Sequence, residues 1–186
     1  NFSTEKIDTI ENEIDQETFE KKRKIGENDN YICELIRNDS IDEFIRYVEV
    51  NNINISEVKI EPSIFETNAK FIQKYDYLKS RNKKRSLIEY AAFYGSIQIF
   101  KYIMIKTTIY FKQELLIFAV HGNNAEIIHM LEDFKCKPFI KNHYNCLIFK
   151  EANKCHHNEL ATYFENNFSI EPYYVLAKSL KFYNFA

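Results

Sequence analysis

The sequence predicts an all-α chain, a solenoid of helix-turn-helix repeats with a helical extension in front. Three observations carry this. Apolar runs come in pairs, each pair split by a short corner, as in SLIEYAAFYGSIQIFKYI (86–103). A small-residue pattern returns along the chain, at Ala91-Ala92, Ala119-Val120 and Ala152-Asn153. Only 3 Gly and 3 Pro occur in 186 residues, too few for the tight turns of a sheet-rich fold.

Residues 1–28 are charged, with Ile7, Ile10 and Ile14 at helical spacing. Ser3 or Thr4 suits the N-cap and Gly26 the end, which predicts a solvated helix held loosely to the rest of the chain. From Asp29 the pattern changes. YICELIRNDSIDEFIRYV (31–48) turns at Asn38-Asp39-Ser40, and SLIEYAAFYGSIQIFKYI turns at Gly95. ELLIFAVHGNNAEIIHML (114–131) turns at 121–124, and CLIFKEANKCHHNELATYF (146–164) at Cys155-His156-His157-Asn158. Each half is about two to three turns long, too short to hold alone in water. Such helices persist by burying their apolar faces on neighbours, which is the logic of a repeat stack.

Aligned on the small residues, the corners fall on Gly95, Asn123 and His156. A helix-ending corner needs φ > 0, which Gly tolerates best, then Asn, and His less readily. Ala91 and Ala119 are 28 residues apart, Ala119 and Ala152 are 33, and Ala152 and Ala177 are 25. Leu35 sits in the same frame, 56 residues before Ala91. The units are thus expected near 29–56, 84–112, 113–143 and 144–171. The stretch 57–83 lacks the small-residue corner and reads as a degenerate repeat or an insertion, with a break or helix start at Pro62. Residues 172–186 read as the first helix of a unit whose remainder is missing.

These units resemble the ankyrin repeat, whose pattern runs roughly T-P-L-H-x-A-A-x-x-G-H-L-E-I-V-K-L-L. Ser86-Leu87-Ile88-Glu89-Tyr90-Ala91-Ala92 matches its opening, and Gly95 to Ile103 matches its second half. Ala119 and Asn123 to Leu131 keep the frame in the next unit. The resemblance is good over 86–131, fair over 29–50 and 146–168, and weak over 51–85. Its tone is that of the divergent ankyrin-repeat proteins abundant in parasitic protists. The Pro of the opening motif and the G-A-D-x-N signature are absent, so the helix pairs are better supported than any projecting hairpins.

The resemblance implies a protein-protein interaction module, not an enzyme. In that family partners touch the two residues after the small pair and the loop before each first helix. Carried over, this selects Phe93, Tyr94, His121, Gly122, Lys154 and Cys155 at the corners. The loops add Asn82, Lys83, Tyr110, Phe111, His143 and Tyr144. It implies a protein partner, no small-molecule substrate, no cofactor and no membrane contact.

Other chemistry is thinly represented. No P-loop, nucleophile elbow, HExxH or paired-carboxylate signature occurs. Cys136, His143, Cys146, Cys155, His156 and His157 crowd together, but their spacing matches no common zinc module, and they are read as structural. The 4 cysteines are read as reduced thiols, consistent with a cytoplasmic location. A net charge of −2 gives no bulk attraction for nucleic acid. The alternative function is a nucleic-acid-binding helical-repeat protein using the basic run 79–85, which also reads as a nuclear import signal.

Overall fold

The computed structural model describes residues 15–71, 75–76, 81–82, 84–107, 114–133, 143–168 and 170–184, with the backbone alone described at 75–76, 81–82 and 143–144. These residues form ten helices and one two-stranded ladder. The expectation of a helical chain holds. No helix among the described residues is long and apolar enough to cross a membrane.

The first helix, α1 (Gln16–Ile25), begins where Asp15 takes an extended backbone and its carboxylate accepts from Thr18 N at 3.3 Å. This corrects the expectation of one helix running from Ser3 or Thr4; those two residues lie outside the described ones. Gly26 ends α1 in the left-handed conformation at φ 70°, as expected. The helix buries none of its own residues, but Phe19 meets Phe65 edge-on at 5.4 Å.

Four helix pairs come next: α2 (Tyr31–Arg37) with α3 (Ile41–Val50), α4 (Leu87–Tyr94) with α5 (Ile97–Lys106), α6 (Glu114–Gly122) with α7 (Ala125–Asp133), and α8 (His143–Lys154) with α9 (Asn158–Asn167). Helix α10 (Pro172–Phe182) stands alone after them, with Pro172 in its first turn, where a missing N–H costs nothing. Helices α2, α4, α6, α8 and α10 pack each on the next as a first row, while α3, α5 and α7 do the same as a second row. Ala91, Ala92, Ala119 and Ala152 are fully buried, which lets neighbouring backbones of the first row approach closely.

The corners carry the repeat most clearly. Asp39, Gly95, Asn123, His156 and Tyr183 all have positive φ, between 49° and 70°. Each ends a first-row helix. After each of the last four corners the next residue reaches back to the preceding unit. Ser96 Oγ donates to Ile36 O, Asn124 Nδ2 to Gly95 O at 3.1 Å, and Asn184 Nδ2 to Asn153 O at 3.5 Å. His157 Nε2 lies 3.1 Å from His121 O. These contacts tie the end of each first-row helix to the corner of the next. Asp39 works forward as well, its carboxylate accepting from Gln98 N and Ile99 N, both at 3.0 Å, at the start of α5. One frame needs correction: Ala177 is exposed, and the corner at Tyr183 puts Ser179 in the small-residue position.

Gly95 gives a graded test. Its φ of 70° strains any β-branched residue, and a Cβ there would also lie 3.0 Å from Gly122 O. Gly95→Val is therefore expected to cost about 3 kcal/mol, and Gly95→Asn about 1 kcal/mol, read as successive drops in melting temperature. Equal melting of the two variants would show that the corner conformation does not matter.

The region between α3 and α4 departs most from the repeat. Residues 51–71 contain no helix, so Pro62 does not start one. Strands β1 (Tyr75–Asp76) and β2 (Arg81–Asn82) pair antiparallel, with Tyr75 opposite Asn82. Ile60 N donates to Arg85 O at 2.8 Å, tying the segment to the start of α4. Phe71 then sits among Tyr90 and Phe93, both with ring centroids at 4.7 Å, and Phe118 at 6.0 Å. This explains why α4 is apolar nearly all round. Leu87, Ile88, Tyr90, Ala91, Ala92 and Phe93 are all buried, because the 59–71 segment closes a face that row packing alone leaves open.

Beside this cover, Arg37 bridges three elements. It donates to Asn28 O at 2.7 Å and to the Tyr90 hydroxyl at 2.9 Å, and pairs with Glu27 at 2.7 Å. Burial pushes the Tyr90 phenol up, and pushes Tyr94 and the Cys33 thiol each up to about 12. All three stay protonated at neutral pH, so Arg37 meets Tyr90 as a neutral phenol and Glu27 as its ion-pair partner.

Candidate functional site

The corner ends of α4, α6 and α8 lie side by side, and most of the described candidate residues gather there. Tyr94 is half-buried, stacked near Phe71 at 6.4 Å and beside Tyr90 at 4.6 Å. His121, also half-buried, lies flat on Phe93 with centroids 3.8 Å apart and planes 17° apart. Lys154 is exposed at the end of α8. His121 and Lys154 occupy equivalent places, two residues before their corners, a place that Phe93 fills in the α4 unit; Tyr94 stands one residue nearer its corner.

Two expected contact residues are corrected. Phe93 is buried under Phe71, Phe118 and His121, so it packs the interior and offers a partner nothing. Gly122 is a packing position as well: a Cβ there would lie 2.3 Å from Ala92 O and 2.9 Å from Gly95 N. The loop candidates are less fully placed. Asn82 lies in β2, and His143 and Tyr144 open α8, all three described by backbone alone. Lys83, Tyr110 and Phe111 lie outside the described residues.

Beneath this surface the structure joins residues that no spacing connected. Ligand-type atoms of His121, Glu151 and Cys155 all lie within 4.8 Å of one another. Glu151 and Cys155 are four residues apart at the end of α8, and the docking of α6 on α8 brings His121 to them. Glu151 is 6% exposed. One of its oxygens, Oε2, takes a hydrogen bond from Lys70 Nζ at 3.0 Å. The other, Oε1, is buried with no hydrogen-bond donor among the described residues, and Lys154 Nζ stands 3.7 Å from it. Burial lowers the His121 pKa, opposed by Glu151, and raises the Cys155 thiol, assisted by Glu151. At neutral pH the imidazole is therefore neutral and the Cys155 side chain a thiol.

The Cys/His-rich stretch itself does not converge in the way its sequence crowding suggests. Cys155 meets His121 and Glu151, while His157 turns to the His121 carbonyl. Cys146 stands a helix length away on α8, where its carbonyl accepts from the Tyr174 hydroxyl at 3.1 Å. Cys136 and the His143 side chain lie outside the described residues. Cys33, Cys146 and Cys155 are free thiols.

The basic run is partly engaged within the chain. Lys84 pairs with Glu61 at 2.8 Å. Arg85 pairs with Glu89 at 3.3 Å, donates to Lys70 O at 3.1 Å and stands 4.9 Å over the Phe118 ring. At the far end of the first row, α10 exposes Tyr173, Leu176 and Leu180, with Tyr183 just beyond. Compared with family models, with curated proteins and with solved structures, the chain finds no match in any of the three.

Proposed function

We propose that this chain is a protein-binding module, an ankyrin-like solenoid that engages a partner protein along the corner end of its first row. The observation that carries the reading is that Tyr94, His121 and Lys154 each keep solvent access beside the corner of a first-row helix, in three successive units. Stacked units present such positions at regular intervals, which suits an extended partner surface and needs no catalytic centre. The loop residues Asn82, Lys83, Tyr110, Phe111, His143 and Tyr144 belong to the same proposed surface, and Phe93 leaves it. The nucleic-acid alternative loses support from Lys84 and Arg85, whose charges already meet Glu61 and Glu89.

The test is capture of partners from extracts of the source cell, comparing three forms. A Tyr144→Ala/Lys154→Glu double variant is expected to lose a captured protein by at least about tenfold, the effect of losing one interface anchor. Arg46→Glu, on the exposed side of α3, is expected to retain it. Capture that ignores the double variant, or recovery of nucleic acid alone with strong salt dependence, would overturn the reading.

A further inference from the structure

We propose that His121, Glu151 and Cys155 form a binding site for a zinc-type divalent ion at the junction of α6 and α8. The donor set is one imidazole nitrogen, one carboxylate oxygen and one sulfur. Such a mixed set suits Zn²⁺, a borderline ion that takes all three, better than hard cations that want oxygen alone or Cu(I), which prefers sulfur. Two independent features point to a ligand there. The donors converge within 4.8 Å from two different helices. Glu151, 6% exposed, also holds a buried oxygen, Oε1, that no described residue hydrogen-bonds.

The geometry leaves the ion a place without dismantling the fold. Donors around one tetrahedral zinc stand about 3.3–3.7 Å apart, so the set must close by about 1 Å. Cys155 lies in the corner turn just past α8, and its half-exposed side chain can make that move. Lys70 keeps Oε2 of Glu151 at 3.0 Å while the ion takes Oε1. Lys154, the other neighbour at 3.7 Å, is on the surface and can swing outward. Binding releases the Cys155 proton to solvent, and thiolate and carboxylate then balance the two charges of the ion. Three protein donors leave a fourth position open to water. The ion would clip the end of α6 to the end of α8.

The test uses the full chain, stripped with chelator and titrated with Co²⁺ and then Zn²⁺. One equivalent of Co²⁺ is expected to give a thiolate-to-cobalt absorption band that Zn²⁺ abolishes, and Zn²⁺ is expected to raise the melting temperature. Cys155→Ser should remove the band. Glu151→Gln should weaken Co²⁺ binding by at least about tenfold, since it loses a charged donor. A Cys136→Ser/Cys146→Ser double variant, checked for helix content by circular dichroism, should keep the band, which guards against adventitious binding at other thiols. Absence of a band in the wild-type chain, or a band that survives Cys155→Ser, would overturn the site.

Discussion

Gly122→Ala is expected to lower the melting temperature by about 6–12 °C, a loss of about 3 kcal/mol. Helix propensity alone argues the other way, since Ala exceeds Gly by about 1 kcal/mol inside a helix. Packing decides. A Cβ at Gly122 would lie 2.3 Å from Ala92 O and 3.0 Å from Phe93 O. Both are backbone atoms of α4, so no rotamer change relieves the clash, and the α4–α6 contact must open. Overpacking of this kind costs about 1–3 kcal/mol, and a backbone obstacle puts it at the upper end. For a chain of this size each kcal/mol moves the midpoint by about 2–4 °C. A Gly122→Ala protein that melts at or above the wild type would mean that α4 and α6 do not meet in this way.

Phe71→Ala is expected to cost about 3–5 kcal/mol, as for other buried aromatic side chains cut back to Ala. Phe71 is 7% exposed and contacts rings from α4 and α6. Its removal leaves a void against Tyr90, Phe93 and Phe118 and weakens the cover over that face of α4. Thermal melting of the variant, with helix content tracked by circular dichroism, reads the effect. A loss below about 1 kcal/mol would place residues 59–71 loosely on the surface and remove the explanation for the all-round apolar character of α4.

The corners were legible because their chemistry is local. Positive φ is tolerated by few residue types, and Gly95, Asn123 and His156 sit where the small-residue frame put them. Tyr183 escaped the same reading because an aromatic residue gives no such signal, and the nearest Ala, Ala177, pulled the frame two residues out. Phe93 was misassigned for a non-local reason. Its burial comes from contacts the sequence does not announce, the return of Phe71 from an irregular segment and the rings of Phe118 and His121 on the next first-row helix. The grouping of His121, Glu151 and Cys155 was illegible on the same grounds. The pair on α8 has an ordinary helical spacing, and its third member arrives only through the docking of α6. Glu151 itself reads as one more surface carboxylate until its burial is seen.

The Lys70–Glu151 pair has a consequence for how the molecule comes apart. In an ideal stack each unit touches only its neighbours, so an end can fray while the rest stands. Here the segment entering from α3 passes over α4 and α6 and ends on α8, joining residues 81 apart in sequence. Opening α8 strips Lys70 from its partner and loosens the cover over α4, so the penalty of unfolding one unit is shared by three. The middle of the chain should therefore exchange its amide protons as one block, leaving α1 and α10, which bury none of their own residues, to open before it.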